Sequence, residues 1–279
     1  MNNQPSSLPP SLEEAMRFHQ SGRTAEAEAL FREILRNNPA NSAALHSLAI
    51  LLADRGELNK AQILAEEAII TDDKEPLYFR TLAKIYVQQQ NYPKAIEAFR
   101  TSLYLKPLNS DALAELAETL EKQEDIYAAI CHYKQALEQQ ENNGDIHFRL
   151  AKCLFKAGFS EEAIRHFERS HALLPFSHDV LHHYVHALIL GGHTEKAAAV
   201  LGYGFLYFPR SAALLHLKGV LNFRIDAFEE ALTAYEHALA ILPENRQILV
   251  DYAVCLRTIG DDKSAESVLK RIGVLARGQ

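Results

Sequence analysis

Residues 76–107, PLYFRTLAKIYVQQQNYPKAIEAFRTSLYLKP, hold two amphipathic helical patterns joined by a polar turn. Phe79, Leu82, Ala83 and Tyr86 recur at three- and four-residue spacing and form one apolar stripe. Ala95, Ala98, Phe99 and Ser102 form a second stripe, and Pro107 closes the unit. Moving the pattern 34 residues in either direction finds it again. A fixed period decides an architecture before any local reading does.

Working outward, the small residue that opens the second helix is Ala27, Ala61, Ala95, Ala129, Ala163, Ala197, Ala231 and Ala265, with no slip of register. Four residues later stand Phe31, Ala65, Phe99, Tyr133, Phe167, Leu201, Tyr235 and Leu269. The small residue of the first helix is Ala15, Ala49, Ala83, Ala117, Ala151, Val185, Gly219 and Ala253. Pro39, Pro107, Pro175, Pro209 and Pro243 close their units, with Asp73 and Glu141 standing in twice. Alanine where two helices cross lets the backbones approach, and the bulky residue fills the space beside it. A single helix pair cannot bury its apolar face, so each needs neighbours. The units run 8–41, 42–75, 76–109, 110–143, 144–177, 178–211, 212–245 and 246–279. Residues 11–279 are expected to form one array of eight, after a disordered leader at 1–10.

These residues resemble the tetratricopeptide repeat signature from one end of the chain to the other. The resemblance implies an all-α fold, a right-handed superhelical solenoid of antiparallel helix pairs with a concave face lined by the first helices. The chain departs from the family pattern in having no Trp. Leu45, Phe79, Leu113, His147, Leu181, Leu215 and Leu249 stand where Trp is common, and most are apolar enough to pack in its place.

The net charge of −7 argues against nucleic acid as a general partner. No apolar run approaches the roughly 18 residues needed to span a bilayer, so no membrane insertion is expected. The opening residues have no basic start and no apolar core, unlike a secretory signal. Cys131, Cys153 and Cys255 lie far apart in helical patterns and read as buried free thiols of a reducing, cytoplasmic compartment.

Local signals refine the picture. Ser11 with Glu14 makes a capping box for the first helix. Gly22, Gly56, Gly158, Gly192 and Gly260 mark inter-helix turns that favour a left-handed residue, while Gln90, Glu124 and Asp226 hold that place elsewhere. Unit 178–211 places Gly202 and Gly204 inside a helical pattern, either for close packing or as a hinge. Near the end, Val268, Leu269, Ile272, Val274 and Leu275 are expected to expose an apolar strip, open to self-association or to a docking partner.

Family members usually hold ligands along the inner surface, so the resemblance puts the candidate site on the inward residues of the first helices. Units three to five supply a charged zone of Arg80, Lys84, Glu118, Lys122, Lys152 and Lys156, suited to a carboxylate or acidic peptide or simply to solvent. Units six to eight supply His182, His186, Ile189, His216, Val220, Phe223, Arg224, Val254 and Arg257. Phe155, Ile189 and Phe223 are apolar at positions that repeat packing does not need, and read either as ligand contacts or as contacts across a narrowing superhelix. His182, His186 and His216 have the spacing of an open metal site, but lack an orienting carboxylate on the same turn. They read first as ligand contacts by stacking or hydrogen bonding, with binding that changes between about pH 6 and 7. Chaperone-tail-binding members of the family pair an inward Lys with an Asn one turn on. Leu12 and Met16 hold those places here, which excludes that clamp.

The sequence shows no GxSxG, HExxH, P-loop or GxGxxG after a strand. The expectation is a non-enzymatic adaptor, without cofactor, that binds a protein or peptide segment in its groove. An alternative follows from the opening two units, which are similar to the repeat arrays that precede bacterial glycosyltransferase, sulfotransferase or methyltransferase domains. On that reading the chain is a recognition or docking arm of such an assembly.

Overall fold

The computed structural model describes residues 11–275, and the leader at 1–10 lies outside them. Among the described residues there are sixteen helices and no strand. The chain divides into two compact units, 1–141 and 142–279.

Unit 1 contains α1 (Leu12–Gln20), α2 (Thr24–Asn37), α3 (Ser42–Asp54), α4 (Leu58–Thr71), α5 (Pro76–Gln88), α6 (Tyr92–Leu105), α7 (Ser110–Lys122) and α8 (Ile126–Gln139). Unit 2 contains α9 (Gly144–Lys156), α10 (Ser160–Leu173), α11 (His178–Leu190), α12 (Thr194–Tyr207), α13 (Ala212–Arg224), α14 (Phe228–Ile241), α15 (Arg246–Thr258) and α16 (Asp262–Leu275). Odd-numbered helices are the first of each pair and even-numbered helices the second. Within each unit, every helix packs on its sequence neighbours. First helices also meet first helices: α1 with α3 and α3 with α5, then α9 with α11, α11 with α13 and α13 with α15. No helix among the described residues is long and apolar enough to cross a membrane.

The periodic residues are the core. All eight alanines that open the second helices are completely buried. Phe31, Phe99, Tyr133, Phe167 and Tyr235 are also sealed in, each worth about 3 kcal/mol of transfer free energy. Asn41, Asn109, Asn143, Ser177, Ser211 and Asn245 each accept a backbone N–H in the first turn of a first helix, satisfying an otherwise orphan donor. Ser11 accepts from the Glu14 N–H at 3.1 Å in the same way.

All eight inter-helix turns use one device. A residue at positive φ ends the first helix, and the next N–H returns to a carbonyl five residues back, as from Asn91 to Tyr86 at 2.8 Å. Five of these residues are glycine, whereas Gln90, Glu124 and Asp226 adopt φ of 60°, 65° and 59°. These three carry a cost that glycine would not.

Two expectations need correction, and a third is decided between its alternatives. Cys131 is exposed, because it falls on the outer side of α8, whereas Cys153 and Cys255 are buried. Val268 and Ile272 are buried against Leu249, Ala253 and Leu256, since α16 turns its stripe onto α15. Leu269 is 36% exposed, and the side chains of Val274 and Leu275 lie outside the described residues. At Gly204 an added Cβ would stand 2.5 Å from Cδ2 of Leu181, so this glycine is where α12 closes on α11. Gly202 faces open space, and α12 runs unbroken through both.

Candidate functional site

In unit 1 the first helices present three adjoining clefts. The first, about 440 Å³, is lined by Leu12, Met16 and His19 of α1, His46 and Ile50 of α3, and Leu77 and Tyr78 of α5, with their neighbours. The second, about 210 Å³, shares Ile50 and Leu77 and continues to Arg80 and Lys84. The third, about 220 Å³, shares Lys84 and adds Val87, Glu115, Glu118 and Lys122. Met16 is 43% and Leu77 45% exposed, so apolar surface lies open along this track.

The charged residues of the track are partnered. Arg80 closes its guanidinium on Glu115, with Nε at 2.6 Å and Nη2 at 2.9 Å from the two carboxylate oxygens. Asp111 stands 3.5 Å from the same fork, and Lys84 Nζ is 3.7 Å from Glu115. These hydrogen bonds, above all those Arg80 donates to Glu115, raise the Arg80 pKa beyond its ordinary range. Lys122 is 3.2 Å from Glu118, one turn back on α7. The basic residues expected to be offered to an acidic ligand are therefore half of an internal network. Below them, buried His46 places Nε2 2.8 Å from the Thr81 hydroxyl, and burial lowers its pKa to about 4.

In unit 2 the corresponding face is aromatic. His182 and His186 stack nearly parallel at 6.4 Å, and His183 meets His182 edge-on at 5.3 Å. Phe148 packs edge-on to His183 at 5.2 Å, and Phe155 meets His186 at 5.9 Å. Lys152 lies over the Phe148 ring at 5.6 Å. Burial first, then the neighbouring imidazoles, lowers His182 to about 4, and burial also lowers His186. His216 bonds Asp251 at 2.6 Å, and Gln247 holds the same carboxylate.

The structure thus separates the expected contacts. Lys156, Arg224, Val254 and Arg257 are exposed, and Phe155, Val220 and Phe223 are half-buried. Ile189 is completely buried, so it is a packing residue and has no surface for a ligand. His182, His186 and His216 do not converge on a metal position: two stack face to face and the third is held by Asp251. Among the described residues no cluster of three ligating side chains has the geometry to hold a metal ion.

Several partners were missed in the sequence, and they share one signal. Thr81, Glu115, His183 and Asp251 each lie 35 residues after the inward residue they touch: His46, Arg80, Phe148 and His216. One period plus one residue is the spacing that brings adjacent first helices together.

Paired helices on a constant period, with an open side-chain track along the first helices, define a repeat protein of the protein-interaction class. Two family models described as tetratricopeptide repeat match residues 18–85 and 226–278, and 80–139 and 120–178. The chain belongs to the tetratricopeptide repeat family. It is similar to the BBSome complex member BBS4 of Bos taurus, 23% identical over 211 residues, covering 76% of this chain and 41% of that protein. It is also similar to the protein O-mannosyl-transferase TMTC1 of Homo sapiens, 26% identical over 164 residues, covering 57% of this chain and 19% of that protein. The chain therefore spans less than half the length of these curated relatives. Among solved structures, a tetratricopeptide repeat protein from Parabacteroides merdae superposes with a TM-score of 0.59 at 19% identity, over 94% of this chain and 96% of that one. YrrB, described as having an unusual peptide-binding site, gives a TM-score of 0.59 at 23% identity, over 67% of this chain and 97% of its own.

Proposed function

We propose that this chain is a non-catalytic scaffold that holds a protein or peptide segment along the first-helix face of unit 1. The observation that carries the reading is the run of three adjoining clefts, with exposed Met16 and Leu77 at its apolar end and the Arg80–Glu115 and Lys122–Glu118 pairs at the other. Exposed apolar side chains beside fixed charges suit a segment that buries one flank and hydrogen-bonds with the other. The imidazole face of unit 2, with Phe155, Arg224 and Arg257 near or at the surface, is a second contact region of different chemistry. Three cysteines far apart in the sequence and without CxxC spacing, Cys131 exposed and Cys153 and Cys255 buried, fit a reducing cytoplasmic setting.

The partial match to a protein O-mannosyl-transferase favours a second reading, a docking arm of a glycosyltransferase assembly whose catalytic part lies elsewhere.

Affinity purification from native lysate, with wild type and with a Met16→Glu, Leu77→Glu double variant, tests both. The first reading expects a partner that wild type retains and the double variant loses. A partner retained by both would remove the site from this face, and a retained partner that is a transferase would favour the docking arm.

A further inference from the structure

The second helices of unit 1 border a different cleft. It has a volume of about 540 Å³ and shares no residue with the first-helix track. Leu48 and Leu52, one turn apart on α3, form a floor that is 3% and 2% exposed. Leu35 of α2 and Leu64 of α4 make the sides, and Ile63 stands 56% exposed at the edge. The cleft lies beside α4, the one second helix with an alanine, Ala65, four residues after its opening alanine.

Every charged residue that lines this cleft is a cation: Arg32, Arg36 and Lys60. That stands against a chain whose net charge is −7. Arg32 and Lys60 touch Glu28 and Glu57, at 2.8 and 2.7 Å, but in side chains 54% and 68% exposed, where such pairs are weakly held and open to exchange. Arg36, in the last turn of α2, has no carboxylate partner among the described residues.

We propose that this cleft is a second docking site, for an acidic amphipathic helix. Large aliphatic side chains one turn apart enter between α2 and α4 onto Leu48 and Leu52, and carboxylates beside them meet Arg32, Arg36 and Lys60. The cationic rim selects the partner, because a basic segment of the same apolar pattern would place like charges together.

Selection of a random peptide library on phage against the intact chain tests this. The expected binders pair aliphatic residues at i and i+4 with Asp or Glu. They should lose about tenfold in affinity against Ile63→Glu and against Arg36→Glu, the scale of one well-placed contact. They should be unaffected by Met16→Glu with Leu77→Glu, which separates this site from the first-helix face. Arg32→Glu with Arg36→Glu should instead enrich basic peptides. The substituted side chains are at the surface, and an unchanged helical circular dichroism spectrum checks the fold. A library that yields no binder, binders without carboxylates, or binders indifferent to Ile63→Glu would overturn the proposal.

Discussion

Arg80 in unit 1 and His216 in unit 2 occupy the same register of the repeat, and each reaches a carboxylate 35 residues on. Around Arg80 the first-helix face is knit by guanidinium, ammonium and carboxylate groups. Around His216 and His182 the same face is built of imidazole and phenyl rings, and the His182 imidazole, its pKa lowered to about 4 chiefly by burial, gains its charge only in acid. The period decides which positions meet, while the side chain at each position decides whether the contact answers to salt or to protons. Two units with equivalent helix pairs can therefore respond differently to one change of conditions.

Acid should have the largest effect, and it reaches both units, through one buried imidazole in each. His46 and His182 both have pKa values lowered to about 4, chiefly by burial. A lowered histidine contributes stability that is complete above its unfolded value near 6.5 and is lost as pH falls through the folded value. Each should therefore cost about 2 kcal/mol by pH 5 and about 3 kcal/mol below pH 4. Hydrogen exchange at pH 7.5 and 5, read peptide by peptide, checks this. His46→Gln should remove part of the loss from α3 and α5, and His182→Gln part of the loss from α11 and α13. If neither substitution changes the acid response, burial of these imidazoles is not its source.

Gly219 offers a way to break the symmetry. A Cβ there would lie 2.4 Å from the Tyr235 ring, which is itself tilted against His216 and edge-on to Tyr252. Unit 1 has Ala117 in the same register, with Tyr133 filling the later position, and both are completely buried. Gly219→Ala should destabilise unit 2 by about 2 kcal/mol, because a rigid ring must shift within a packed layer. Thermal unfolding measures it, and a neutral result would mean that Tyr235 can settle as Tyr133 does.

The smallest effect is expected at the turns. Gln90→Gly or Glu124→Gly in unit 1, and Asp226→Gly in unit 2, should each stabilise by about 1 kcal/mol, by relieving the left-handed backbone of a residue with a Cβ. Urea unfolding should show similar gains in both units, since this strain belongs to the period. A gain confined to one unit would show that the turn is set by its surroundings.

Much of the molecule was legible in its sequence. The buried alanines, the bulky residues four places on and the left-handed turns all follow from local geometry repeated every 34 residues. Three of the bulky positions depart from the aromatic pattern in unit 2 and at Ala65, and the sequence showed where. The candidate site was only half legible. The inward column that contains Arg80, His182 and His216 was found, but the column that answers it was not. A partner 35 residues away is invisible until adjacent first helices are placed side by side.

Sequence alone determined the helices, their pairing and their core, because those depend on periodic apolar burial and on the backbone conformation of the turns. Tertiary structure alone decided that Arg80 is closed on Glu115, that Ile189 and Ile272 are buried, and that a cation-rimmed cleft opens between α2 and α4. Those outcomes depend on which side chains meet across neighbouring helices, and periodicity along one helix carries no record of that meeting.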